Sequence, residues 1–136
     1  AEGVQRGAYV LADLGGGQPE VILMASGSEV SLIVEAGKRL VELGRSVRLV
    51  SFPSWELFAE QDQAYRDSVL LPEVRARVAV EAGVSQGWRQ WVGDQGRILA
   101  LDRFGASAPG EVVFKMFGFT PERVAELALE TLAPKG

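Results

Sequence analysis

Two places in the sequence combine side-chain types and spacing that could support chemistry. The turn Ser26-Gly27-Ser28 follows an apolar run and precedes an amphipathic pattern. Backbone N–H groups at such a turn face the positive end of a helix dipole, so these three residues are candidates for a weak anion site. Glu81 ends a second apolar run, at the edge where parallel sheets place their ligand sites.

A pair of tryptophans supplies a third candidate. Trp88 and Trp91 lie on one side of a short predicted helix, where they could stack on a ligand or cover an interface. We expect at least one ring to pack inward and the other to cover a surface meant for other domains. Together with Glu81, the two tryptophans are therefore our interface candidates.

Each polar candidate also has a structural interpretation. Ser26 and Glu29 have the spacing of a capping box, and Ser28 could cap instead, so we predict that the turn acts first as a helix cap. Glu81 could form an ion pair with a neighbouring arginine or with another subunit, because structural ion pairs also account for buried carboxylates. We favour these interpretations over a ligand site.

The composition excludes several kinds of active site. The chain of 136 residues contains no cysteine and no histidine, which removes thiolate chemistry, the serine–histidine triad and the usual zinc ligands. Gly15-Gly16-Gly17 lacks the lysine and the spacing of a phosphate loop, and Ser107 lacks the spacing of a nucleophile elbow. No catalytic set is therefore visible in the sequence.

The net charge of −4 argues against nucleic acid and anionic membrane as partners. No apolar run has the length of a signal peptide or of a spanning helix, so the expected location is cytoplasmic.

Alternating strand and helix patterns predict the elements that must position these candidates. Predicted strands cover residues 8–13, 21–25, 47–51, 75–81 and 97–101. Predicted helices cover residues 30–43, 54–63, 86–92, 108–116 and 120–132, with 64–71 as a connecting segment. Spacing puts Val41 on the inner face of the first helix, and Thr120 is the predicted cap of the last. This alternation predicts one α/β domain, residues 1–136, with a largely parallel sheet. The link between the first two strands is too short for a helical crossover, so these strands should be antiparallel or not adjacent.

Short motifs recur along nearly the whole chain in a specific order. They occupy residues 7–11, 25–30, 50–54, 77–83, 88–93, 104–109 and 117–120, with Phe58, Gln61-Asp62, Tyr65-Arg66 and Ser68-Val69-Leu70 between the third and fourth. In this order and spacing the chain resembles the C-terminal domain of transketolases.

The resemblance implies a three-layer α/β/α sandwich with a five-stranded, mostly parallel sheet and one antiparallel strand. It also implies a larger parent enzyme, in which two preceding domains bind thiamine diphosphate and Mg²⁺ or Ca²⁺ between the subunits of a homodimer. The parent would transfer a two-carbon ketol unit between sugar phosphates in the pentose phosphate pathway.

No catalytic, cofactor or metal residue carries over to this chain, because the family's diphosphate and metal motif has no counterpart here. The chain should contribute packing against the preceding domains and subunit contacts, and should be inactive alone. The first residue is alanine, which favours a fragment. Alternatives are the C-terminal domain of another thiamine diphosphate enzyme, or a free-standing dimerisation module or small-ligand or anion-binding module.

Overall fold

The computed structural model describes residues 5–81, 88–93, 95–100 and 120–132. Its strands are β1 (Tyr9–Leu14), β2 (Val21–Ala25), β3 (Val47–Ser51), β4 (Ala76–Glu81) and β5 (Arg97–Ala100). Its helices are α1 (Val30–Glu42), α2 (Trp55–Ala59), α3 (Gln63–Val69), α4 (Arg89–Val92) and α5 (Pro121–Leu132), with a 3₁₀ turn at Gly27–Glu29.

The central strand β2 organises the sheet. All of its residues are buried, as expected for a strand covered on both faces. The strand order is β1-β3-β2-β4-β5, with β1 antiparallel to β3 and the other neighbours parallel. This confirms the expected mixed sheet with one antiparallel strand, and β1 and β2 are not adjacent.

Helices α1 and α5 cover one face of the sheet. Val21, Leu23 and Ala25 of β2 point to this face, because alternate strand residues share a side. Gly37 lets α1 approach closely, since a Cβ there would lie 3.1 Å from Leu49 Cδ2. Thr120 caps α5 as predicted, accepting a hydrogen bond from Arg123 N at 3.1 Å.

Helices α2, α3 and α4 cover the opposite face, where Ile22 and Met24 point. This layer contains six aromatic rings, each of which contacts at least one of the others with centroids 5.0–6.1 Å apart. We call them the aromatic cluster: Phe52, Trp55, Phe58, Tyr65, Trp88 and Trp91. Such edge-to-face contacts stabilise beyond the area that they bury, so the cluster anchors three short helices.

Arg48 and Arg77 are the residues paired with Ile22 on the two neighbouring strands. Both donate hydrogen bonds to backbone carbonyls between Ser68 and Val74, in the segment that precedes β4. Arg48 of β3 donates to the carbonyls of Ser68 and Val69, and also to the Asp13 carboxylate. Arg77 of β4 donates to carbonyls of the same segment and to Trp91 O, at 2.7 Å. Burial lowers the pKa of Arg77, and the nearby Asp67 partly offsets this shift.

The structure corrects three sequence predictions. Residues 64–71 were expected to connect two elements, but most of them form α3, whose N-cap Asp62 accepts from Tyr65 N at 2.8 Å. Val41 was expected on the inner face of α1 and is 36% exposed, whereas Ala36 is buried in its place. Glu60–Asp62 separate α2 from α3, so α2 is shorter than the predicted helix 54–63.

Other predictions fall on undescribed residues. The predicted helix 108–116 lies outside the described residues, as do the motif at 104–109 and most of the motif at 117–120. Within the described part of the chain, no helix is long and apolar enough to cross a membrane.

Replacing Gly7 with alanine should lower the free energy of unfolding by about 3 kcal/mol or more. Gly7 has a φ of 89°, and an added Cβ would lie 2.3 Å from Phe58 N. The matched control is Gly16→Ala, because Gly16 has a φ of 75° but open space around it. That control should lose only about 1 kcal/mol in urea unfolding. Equal losses would show that the contact with α2 contributes nothing.

Candidate functional site

A cleft of about 290 Å³ opens at the carboxyl edge of the sheet. Its walls come from the residues that follow β2 and β3 and from the end of β4. The lining residues are Ser26, Phe52, Pro53, Ser54, Trp55, Glu56 and Glu81. Three parallel strands that are distant in sequence therefore end at one site.

The topology explains why the cleft forms at this position. From β2 the chain runs through α1 to β3 on one side, and from β3 it crosses to β4 on the other side of β2. Strand order thus reverses between β2 and β4, and the helices that follow these strands lie on opposite faces. In open α/β sheets, ligands bind in the crevice at such a point.

Ser26 of the Ser26-Gly27-Ser28 turn lies at this crevice, and its side chain does not cap as predicted. Ser26 takes the N-cap position of the 3₁₀ turn, and its side chain makes no capping hydrogen bond. The bond at this turn is a backbone one, in which Glu29 N donates to Ser26 O at 3.3 Å. Because Ser26 lines the cleft instead, the capping-box interpretation is wrong for its side chain. The backbone of Ser28 lies within the 3₁₀ turn.

Carboxylates surround the turn. Glu29 is 6% exposed, and its Oε2 lies 3.8 Å from the position that a Cβ on Gly27 would take. Glu81 and Glu56 line the same cleft as Ser26. An anion near these groups would be repelled, so the anion site at Ser26, Gly27 and Ser28 stays a prediction that the local charge opposes.

Glu81 and Trp88 are joined by a hydrogen bond. The Trp88 indole Nε1 donates to Glu81 Oε1 at 3.0 Å. Trp88 is fully buried, so this bond comes from a rigid donor within the aromatic cluster. A buried donor to a carboxylate makes one of the stronger kinds of hydrogen bond in proteins, and it fixes the orientation of the carboxylate at the cleft.

The prediction that at least one of the two tryptophans packs inward is confirmed. Trp88 is 0% exposed and Trp91 is 8% exposed, so both rings pack inward in this domain. Both rings contact Phe52, which follows β3 directly. Neither ring is exposed enough in this domain to contact another domain directly. An interface role for the half-buried Glu81 stays a prediction.

Three residues that line the cleft, Ser54, Trp55 and Glu56, were not among the site residues predicted from the sequence. Trp55 is half-buried and its ring lies 5.2 Å from that of Trp88, at an angle of 81°. Ser54 caps α2, accepting from Leu57 N at 3.2 Å, and Glu56 is exposed in its first turn. Their position at the cleft could have been predicted from the sequence, because Ser54–Glu56 come shortly after a buried strand, as the Ser26 turn does.

The described residues do not fit thiamine diphosphate with its metal ion. Among them, no group of three or more His, Cys, Asp or Glu side chains is placed to hold a metal. The cleft residues include two carboxylates, and its described lining contains no basic side chain to bind a diphosphate. No catalytic step through that cofactor is therefore derived from this chain.

Known proteins share this fold and sequence. The family described as the transketolase-like TK C-terminal domain matches residues 7–120. Transketolase from Geobacillus stearothermophilus is 50% identical over 123 residues, which cover 90% of this chain and 18% of that protein. Transketolase 10 from Craterostigma plantagineum is 51% identical over 131 residues, covering 95% of this chain and 19% of its own length.

Solved structures agree with the sequence match. Transketolase from Leishmania mexicana superposes with a TM-score of 0.84 at 41% identity, covering 99% of this chain and 20% of its own. A Pichia stipitis transketolase in complex with sedoheptulose 7-phosphate gives 0.84 at 37% identity, over 96% of this chain and 18% of its own. The chain belongs to the transketolase C-terminal domain family, and it spans about a fifth of the length of these relatives.

Substituting Ser54 with alanine should lower the free energy of unfolding by about 1 kcal/mol, because Ser54 accepts the first free N–H of α2. Ser26→Ala is the matched control and should change stability by less than about 0.5 kcal/mol, since its hydroxyl makes no cap. Thermal and urea unfolding of both variants measure the difference. An equal loss from Ser26→Ala would restore its capping role.

The bond between Trp88 and Glu81 can be tested with a pair of phenylalanine variants. Trp88→Phe should lose about 2 kcal/mol more than Trp91→Phe, because of the two rings it is Trp88 that donates to a carboxylate. Trp91 is the matched control, since its buried Nε1 has no hydrogen-bond partner among the described residues and both rings lie in the same cluster. The measurement is urea unfolding at pH 7. Similar losses in the two variants would contradict a stabilising bond to Glu81.

Proposed function

We propose that this chain is the C-terminal domain of a transketolase that transfers a two-carbon ketol unit between sugar phosphates. The observation that carries the proposal is the family match over residues 7–120. The relatives named as transketolases are several times longer than this chain. The larger enzyme would therefore hold the substrate and cofactor sites, and it would be a thiamine diphosphate- and metal-dependent transferase.

Within that enzyme, the chain has a structural and assembly role. The acidic cleft and the lack of a metal-binding group among the described residues support this role. Its partners are the preceding domains of the same polypeptide and, through them, a second subunit of a homodimer. The sugar phosphates belong to the parent, and the Pichia stipitis relative in complex with sedoheptulose 7-phosphate supports this substrate class.

A cytoplasmic location stays a prediction. One Craterostigma plantagineum relative that is 47% identical is named as chloroplastic, so the family is not confined to one compartment.

A chimera tests the proposed function directly. The matching C-terminal segment of the Geobacillus stearothermophilus transketolase, at 50% identity, would be replaced by this chain. The chimera should assemble as the parent does and keep ketol transfer within about tenfold, because the replaced part holds no reacting group. The control is the parent without its C-terminal segment. A chimera that assembles and binds cofactor but has lost transfer would contradict the structural role.

The chain alone should not bind thiamine diphosphate in the presence of Mg²⁺. Isothermal titration calorimetry should give no specific heat at cofactor concentrations up to about 1 mM, because the described cleft has no cation to pair with a diphosphate. Circular dichroism must show a cooperative melt of the same sample, so that an unfolded chain is excluded. Micromolar affinity would place a cofactor site in this domain.

A further inference from the structure

The cleft at the carboxyl edge is lined by serine, tryptophan and glutamate side chains from three separate segments of the chain. It lies where strand order reverses, between the ends of β2 and β4, with the residues after β3 as its third side. At about 290 Å³ it is close to the lower end of the volumes of small-molecule sites. Its position therefore makes it a candidate ligand site that does not depend on the function proposed for the larger enzyme.

The side chains that line the cleft indicate the chemical class of its ligand. Trp55 is half-buried, and its ring is held edge-to-face against Trp88, which makes it a rigid aromatic wall. The same Trp88 indole holds the Glu81 carboxylate by its Nε1–H. Glu56 contributes a second carboxylate from the first turn of α2. An aromatic face combined with carboxylates is the arrangement that attracts an organic cation.

Other small ligands fit less well. A phosphate or a carboxylate would meet the two glutamates with no basic side chain in the described lining of the cleft. A purely apolar molecule would leave the hydroxyl groups of Ser26 and Ser54 and the carboxylates without any new partner. A cation is the one class that gains from both the indole and the carboxylates.

We propose that this cleft binds an ammonium group between the Trp55 indole and the carboxylates of Glu56 and Glu81. The ammonium group belongs to a small quaternary ammonium molecule or to the end of a lysine side chain. The hydroxyl groups of Ser26 and Ser54 lie within the same cleft and provide oxygen acceptors.

The test follows the three indole N–H signals of the chain in ¹H–¹⁵N NMR spectra at pH 7, with Trp55→Phe to assign the Trp55 signal. Choline, a quaternary ammonium, should shift the Trp55 signal saturably. Its neutral isostere 3,3-dimethylbutan-1-ol should bind at least about tenfold more weakly, because it has the same shape and no charge. Inorganic phosphate should cause no saturable shift.

Matched variants distinguish binding of choline in the cleft from its attraction to the net negative charge of the chain. Glu56→Gln and Glu81→Gln should each weaken choline binding about three- to fivefold, since each removes one charge and keeps the side-chain shape. Glu60→Gln is the control, because Glu60 ends the same helix and does not line the cleft. It should leave binding unchanged. In the Glu81→Gln variant the new amide oxygen can still accept a hydrogen bond from Trp88, so folding is preserved.

Nα-acetyl-lysine amide distinguishes the two sources of the ammonium group. Tighter binding of this probe than of choline assigns the site to a lysine side chain, and tighter binding of choline assigns it to a small quaternary ammonium molecule. The proposal is overturned if the neutral isostere binds as well as choline, if phosphate binds instead, or if Glu60→Gln weakens binding as much as Glu56→Gln.

Discussion

Every residue of β2 is removed from solvent, and the rest of the structure depends on this burial. A strand that is apolar on both faces must be covered twice, so the chain has to place helices on each side of the sheet. Val21, Leu23 and Ala25 pack under α1 and α5, while Ile22 and Met24 pack under α2, α3 and α4. Three layers follow from one five-residue strand.

The two outer layers meet this requirement by different means. On one face, α1 and α5 are long enough to form continuous apolar stripes. On the other face, three short helices cannot be stable alone, because a helix of one or two turns has little stability of its own. The aromatic cluster and the arginines Arg48 and Arg77 hold them in place. The same ring, Trp88, that completes this face also fixes Glu81 at the cleft.

Sequence patterns predicted the elements whose signal is strong and local. The strands at 21–25 and 47–51 were predicted with their observed limits, because a short apolar run between turn residues admits few other structures. Helix α3 was missed for a physical reason. Val69 is its only buried residue, so it has no apolar periodicity, and its sole signal is the Asp62 cap. Val41 was wrongly predicted to be buried, because α1 has apolar residues on neighbouring faces and their spacing alone does not fix which face meets the sheet.

By itself the sequence determined the family, the alternation of strands and helices, and the placement of Ser26 after one buried strand and of Glu81 at the end of another. Only the tertiary structure decided that these residues share one cleft with Trp55, since the direction of the crossover from β3 to β4 is not encoded in either strand. It also decided that both Trp88 and Trp91 turn inward, where both rings contact Phe52 from a distant segment. Local sequence patterns predict which residues are buried, whereas contacts between distant segments depend on how the helices pack against the sheet.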